Sequence, residues 1–161
     1  MRNFAHWMMA AASLVALNAH AADDFEPDDW KHKQKTLLNT TAEGVELKQG
    51  ITQLPLALRL HTGNFAFAEA KPDGSDLRVT AADGKTPLRF HIEKYDSTNE
   101  LAVIWVQQPK LAPLAKTDAV NLLWGNEKAA GASDAKGSYD AAQNLVLHFS
   151  DIGPVRDATV N

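Results

Sequence analysis

Apolar and polar side chains alternate with a period of two along much of this chain. The clearest run is residues 54–61, where Leu54, Leu56, Leu58 and Leu60 share one face and Pro55, Ala57, Arg59 and His61 the other. Leucine also suits a helix, but a proline in mid-run and strict alternation predict a half-buried strand. The same period puts Lys31, Lys33 and Lys35 on one side of residues 30–38, with Trp30, Thr36 and Leu38 opposite. That predicts an edge strand whose charged side discourages pairing with another sheet. Between residues 71 and 126 strand patterns follow one another closely, separated by turn residues. Asp83-Gly84 lies between the alternating runs 77–80 and 88–93, and a turn there needs the positive φ that glycine tolerates. A β-hairpin is predicted, with Leu77 and Val79 facing inward beside Leu88, Phe90 and Ile92. Residues 101–106 are apolar on both faces, as a strand is when it lies at the centre of its sheet or has both faces covered. Val120, Leu122 and Trp124 then share a face before Gly125-Asn126 ends the last strand of the series.

These elements imply an all-β fold: an antiparallel β-sandwich, jelly-roll or immunoglobulin-like, spanning residues 30–126. Leu56, Leu58, Phe90, Ile92, Val103, Trp105 and Leu122 are expected in one core. Residues 22–29 are acidic, contain Pro27 and show no period, so they read as an extended lead-in. Residues 127–143 are rich in Ala, Gly, Ser, Asp and Lys and read as a flexible linker. A strand pattern returns at residues 144–149, and because one strand cannot bury itself, residues 144–161 are expected to open a further, truncated module.

The first residues follow another logic. Arg2 precedes an apolar run over residues 4–17 interrupted only by His6 and Ser13, and Ala19-His20-Ala21 places small residues where signal peptidase requires them. Residues 1–21 therefore read as a signal peptide cleaved after Ala21, with Ala19 and Ala21 as its recognition residues. The run is shorter than the roughly 20 residues of a membrane span. An exported, periplasmic location follows. Removing Arg2 and no acid moves the formal net charge from −4 to −5, which disfavours nucleic acid and anionic membrane surfaces as partners. With no cysteine among the 161 residues, disulfides, thiol catalysis and Cys-ligated zinc are excluded.

Candidate chemistry is sparse. Asp73 and Asp76 flank Gly74-Ser75 at a spacing that could contribute to a calcium loop, but the further ligands of an EF-hand are missing and an Asx-type turn is the simpler reading. Glu93, Asp96 and Glu100 cluster near one turn without establishing the separation that paired catalytic carboxyls need. His32, His61, His91 and His148 all lie on strand patterns, none at metal-ligand spacing from another. Trp30, Trp105 and Trp124 could stack on sugars, although Trp105 and Trp124 each continue an apolar run and read as core. No nucleophile elbow, phosphate loop, zinc-protease motif or dinucleotide fingerprint occurs. Asp73, Asp76 and His91 remain as binding candidates; no catalytic residue, metal site or cofactor is expected.

Several short motifs occur in a fixed order: Trp30 opening the first strand, Pro55 among its leucines, Ala70-Lys-Pro-Asp-Gly-Ser-Asp-Leu-Arg-Val, Ala82-Asp-Gly-Lys-Thr-Pro-Leu, Glu93-Lys-Tyr-Asp, Ala102-Val-Ile-Trp-Val and Leu122-Leu-Trp-Gly-Asn. Over residues 28–126 this set resembles an uncharacterised bacterial exported β-domain. That family stands at the N-terminus of MotA/TolQ/ExbB-type proton-channel proteins, ahead of a concanavalin-like lectin or laminin-G-like domain. Val146-Leu-His-Phe with Asp157-Ala-Thr resembles the opening of that domain, so the resemblance implies that residues 144–161 begin a truncated lectin-like module. The chain departs from it at His32-Lys33, where the family has Tyr-Arg, and at Trp124, where it has Tyr. The resemblance implies a non-catalytic periplasmic module of a biopolymer-transport protein that contacts an envelope protein or glycan, in a full-length protein anchored in the inner membrane. It implies, as the other reading, a carbohydrate-binding accessory domain of a secreted protein. It supplies no functional residues.

Overall fold

Six strands form two three-stranded antiparallel sheets in the computed structural model, which describes residues 25–149 and 153–159. The strands are β1 (His32–Leu38), β2 (Ile51–His61), β3 (Arg78–Ala81), β4 (Phe90–Asp96), β5 (Leu101–Leu111) and β6 (Asp118–Trp124). One sheet has the order β1-β6-β3 and the other β2-β5-β4. One hydrophobic cluster joins them: Leu58, Leu60, Phe90, Ile104 and Val106 from the second sheet meet Val79, Val120, Leu122 and Trp124 from the first, with Phe65, Phe67, Leu77 and Leu88 filling between. The fold is thus the all-β sandwich expected, and its six described strands are fewer than the seven or eight of immunoglobulin and jelly-roll domains. The signal peptide and its Ala19 and Ala21 lie outside the described residues.

The chain crosses between sheets where the sequence predicts a hairpin. Asp83-Gly84 does turn, with Gly84 at φ 72°, and Asp83 accepts hydrogen bonds from the Lys85 and Thr86 amides and the Thr86 hydroxyl. These bonds hold the Asp83 carboxyl down at about 2, the Thr86 side chain contributing most. Past the turn only one bridge forms, Thr80 opposite Pro87, flanked by bonds from the Ala81 amide to Thr86 O and from the Leu88 amide to Val79 O. Both bonds skip Pro87, so its missing N–H costs nothing there. Residue 90 then opens β4 in the opposite sheet, while β3 takes β6 as its ladder partner. The inward residues named for the hairpin do share the core, from opposite sheets.

β5 is the central strand of its sheet, as its two apolar faces require. Its even positions face the core: Ala102, Ile104 and Val106 are buried, whereas Val103 and Trp105 are half-buried on the outer face. This corrects the expected core. Val103 and Trp105 leave it, and Leu60, Ile104, Val106 and Val120 take their places.

Three of the four edge strands are blunted, each by a different device. β1 presents Lys33 and Lys35 to solvent. On β2, Pro55 removes one donor, and the Asn64 carboxamide imitates a strand's peptide group, accepting from His61 N–H at 2.8 Å and donating to Arg59 O at 3.0 Å. Asn64→Ala should cost about 1–2 kcal/mol and promote association through the uncovered edge; sedimentation velocity reads both monomer and oligomer, and an unchanged monomer would show that Asn64 does not guard this strand. On β4, residues 133 and 134 take the edge. Ile92 N–H donates to Ser133 Oγ at 2.9 Å and Asp134 N–H donates to Phe90 O at 2.8 Å.

Residues 127–143, expected to be a linker, are therefore fastened to the sandwich; Ala129 and Ala130 also accept from Lys71 Nζ and Arg78 Nη2. Residues 144–149 do not form the predicted strand. They make a single bridge, Leu147 opposite Asp157, because β4 already has its edge occupied and Asp157 uses its carboxylate to bind Val146 N–H, Thr159 N–H and the Thr159 hydroxyl.

Candidate functional site

The outer face of the β2-β5-β4 sheet carries an aromatic and charged cluster. Cross-strand register sets His91 of β4 opposite Trp105 of β5. One residue later β4 has a bulge: Ile92 pairs with Ile104 and Lys94 with Val103, so Glu93 is the extra residue. A bulge re-aims the side chain it carries and reverses the facing of those that follow. Accordingly Tyr95 turns inward and packs on the core, and Glu93 accepts a 2.6 Å hydrogen bond from Trp105 Nε1 on the outer face. This bond explains why an indole stands outside the core: its N–H has a carboxylate partner there.

His148 completes the cluster from a distant part of the chain. Its Nδ1 lies 3.2 Å from the same Glu93 oxygen, and its Nε2 lies 2.9 Å from the Tyr139 hydroxyl. Its ring packs against those of His91, Trp105 and Tyr139, with centroids 5.3, 5.6 and 6.0 Å away. The Glu93 and His148 side chains are only 16% and 12% exposed. A charge-assisted contact so far removed from water is worth more than an exposed ion pair. It fastens residues 139–149 to a sheet they do not join as a strand.

Burial pushes the Tyr139 hydroxyl up to about 12, with the Glu93 carboxylate adding to the shift. Burial also pushes Tyr95 up to about 12, with smaller contributions from Asp76 and Asp73. These are the chain's only tyrosines. A phenol whose pKa is raised on folding contributes stability that is complete below its unfolded value near 10 and lost as pH rises towards 12. Phenolate absorbance of the native protein should therefore stay low at pH 10–11, while the urea-unfolded chain titrates both rings near pH 10. Native titration near 10 would mean that these rings are open to water.

Beside the cluster lies a cleft of about 350 Å³, lined by His91, Ile92, Glu93, His148 and Phe149 and by residues 154–158. His91, one of three binding candidates in the sequence, lines it. The other two do not. Asp76 is 1% exposed, and its carboxylate oxygens accept from Lys71 N–H at 3.0 Å and Gly125 N–H at 2.7 Å. Asp73 accepts from Ser75 N–H in an Asx turn at 3.0 Å, and hydrogen bonds from Ser75, the backbone one foremost, hold its carboxyl below the usual range. The two aspartates are turn and packing residues.

The remaining candidates disperse. Asp96 caps its turn through Asn99; the bonds from the Asn99 side chain and amide lower its pKa. His32 stacks on Trp124 and faces Glu69, and His61 Nδ1 accepts from Gly63 N–H. Trp124 packs with Phe65, Trp30 lies against Phe25 and under the Arg78 guanidinium, and Trp105 lies on the outer face. The three indoles form no common platform. Among the described residues no His, Asp or Glu triplet is grouped to hold a metal ion, and no helix is long and apolar enough to cross a membrane.

The family profile of a domain of unknown function, DUF2341, matches residues 73–153. The chain belongs to the DUF2341 family. No curated protein and no solved structure matches it. The resemblance to an uncharacterised domain family is thus correct at that level. The DUF2341 match begins at the Asp73 turn and runs beyond Asn126 through Ser133, Tyr139 and His148, so it contains every member of the outer-face cluster.

Proposed function

We propose that this DUF2341 chain is a non-catalytic, exported binding module that contacts an envelope protein or glycan in the periplasm. The observation that carries this reading is the outer-face cluster. Trp105, Glu93, His148 and Tyr139 stand outside the hydrophobic cluster, locked by mutual bonds, with His91 packed on the His148 ring, beside a concave surface. Fixed aromatic and polar groups around a cleft suit binding. Hydrolysis by a carboxylate pair is less well supported, because both acids of the cleft are committed: Glu93 to Trp105 and His148, Asp157 to Val146 and Thr159. Bonds from the Thr159 and Val146 amides also depress the Asp157 pKa, which suits an acceptor and not a proton donor.

The signal-like residues 1–21 support export, and the resemblance to the N-terminal domain of MotA/TolQ/ExbB-type proteins supports a place in a biopolymer-transport protein anchored in the inner membrane. A photo-crosslinking amino acid at Leu145, which is exposed beside the cluster, tests the reading in living cells. The chain should fractionate with the periplasm, begin near Ala22 and crosslink to an envelope component. Cytoplasmic protein retaining Met1, or a crosslink-free periplasmic chain, would count against it. The alternative, a carbohydrate-binding accessory domain of a secreted protein, draws its support from the same cluster and predicts a reading frame that continues without apolar spans.

A further inference from the structure

The geometry points to the cleft between β4 and residues 154–158 as a saccharide-binding subsite, an inference that rests on the binding-module reading above. Its size, about 350 Å³, is at the lower end for ligand pockets and suits one or two sugar rings. At its rim the Phe149 side chain is 74% exposed and Val155 52%. The flat ring offers a stacking surface for the C–H face of a pyranose.

The polar lining supplies both halves of a hydroxyl's requirement, since each sugar hydroxyl donates once and accepts. Glu93 Oε2 is occupied by Trp105 and His148, which leaves Oε1 as an acceptor. Exposed Arg156 brings donors to the lining, which His91 and His148 share, the latter with both ring nitrogens already engaged by Glu93 and Tyr139. Other ligand classes fit less well. Glu93 and Asp157 repel phosphates and other polyanions, Arg156 opposes a cation, and an acyl chain would desolvate Glu93 and Arg156 without bonding them. A neutral polyhydroxylic ligand meets all of these constraints.

Isothermal titration of the purified chain with chitotetraose, cellotetraose and maltotetraose tests the assignment. At least one should bind saturably, and Phe149→Ala should weaken it about tenfold, as loss of one stacked aromatic contact implies. Arg156→Ala should weaken it too. Both side chains are exposed, so the urea midpoint should not move, which separates a lost contact from a lost fold. No saturation with any of the three sugars, or unaltered binding by Phe149→Ala, would overturn the subsite. If the crosslink from Leu145 to an envelope component survives Phe149→Ala while no sugar binds, the binding-module reading stands and the subsite falls. If neither is seen, both fall.

Discussion

Asp76→Ala should lower the unfolding free energy by about 2–4 kcal/mol, since it strands the buried Gly125 N–H at roughly 1–3 kcal/mol and removes the bond to the part-buried Lys71 N–H at about 1 kcal/mol. The residue closes a knot between three distant segments. Its carboxylate binds the Lys71 and Gly125 amides, and its own carbonyl accepts from Trp30 Nε1 at 2.6 Å. Gly125 sits at φ 91°, a conformation that aims its N–H at Asp76 and that a side chain would disfavour. Asp76→Asn should fall between the variants, because an amide keeps an acceptor for one donor and presents its NH₂ to the other. Asp73→Ala is the control; its turn is exposed and its loss should stay within about 1 kcal/mol. Urea unfolding followed by tryptophan fluorescence measures all three. Equal midpoints for Asp76→Ala and Asp73→Ala would show that the knot does not hold the two ends of the sandwich together.

Adjacent residues of β5 should answer truncation differently. Ile104 is fully buried between the sheets, so Ile104→Ala should cost about 2–5 kcal/mol, transfer and cavity together. Trp105→Ala removes a larger side chain but from the outer face, and should cost less in global stability. Its main effect should be local: Glu93 loses its 2.6 Å donor and His148 a ring to pack on. Residues 139–149 should then be cut faster in limited proteolysis while the sandwich resists. Global unfolding of Trp105→Ala at the same urea concentration as Ile104→Ala would return the indole to the core.

The single-acceptor arrangement at Glu93 makes the cluster cooperative. One carboxylate oxygen holds an indole from β5 and an imidazole from residue 148, so removing either donor leaves the other in altered electrostatics. Such coupling is how a few side chains attach a segment that has no strand of its own.

What the sequence determined by itself was everything governed by local sterics and period. Alternation marks β2, the lysines mark β1 as an edge, and Asp83-Gly84 marks a turn, because each signal resides in a few adjacent residues. The facing of β5 was not of this kind. Ala102, Ile104 and Val106 on one side and Leu101, Val103 and Trp105 on the other are equally apolar, and only the sheet that packs on them decides which side is core. The bulge at Glu93 is likewise silent in the sequence, since an extra residue shows only against the register of a partner strand. His91, Glu93, Trp105, Tyr139 and His148 are separated by up to 57 positions. Their meeting depends on the β4–β5 ladder that sets His91 and Glu93 beside Trp105, and on Ser133 and Asp134 pairing with a free edge, neither of which local patterning encodes.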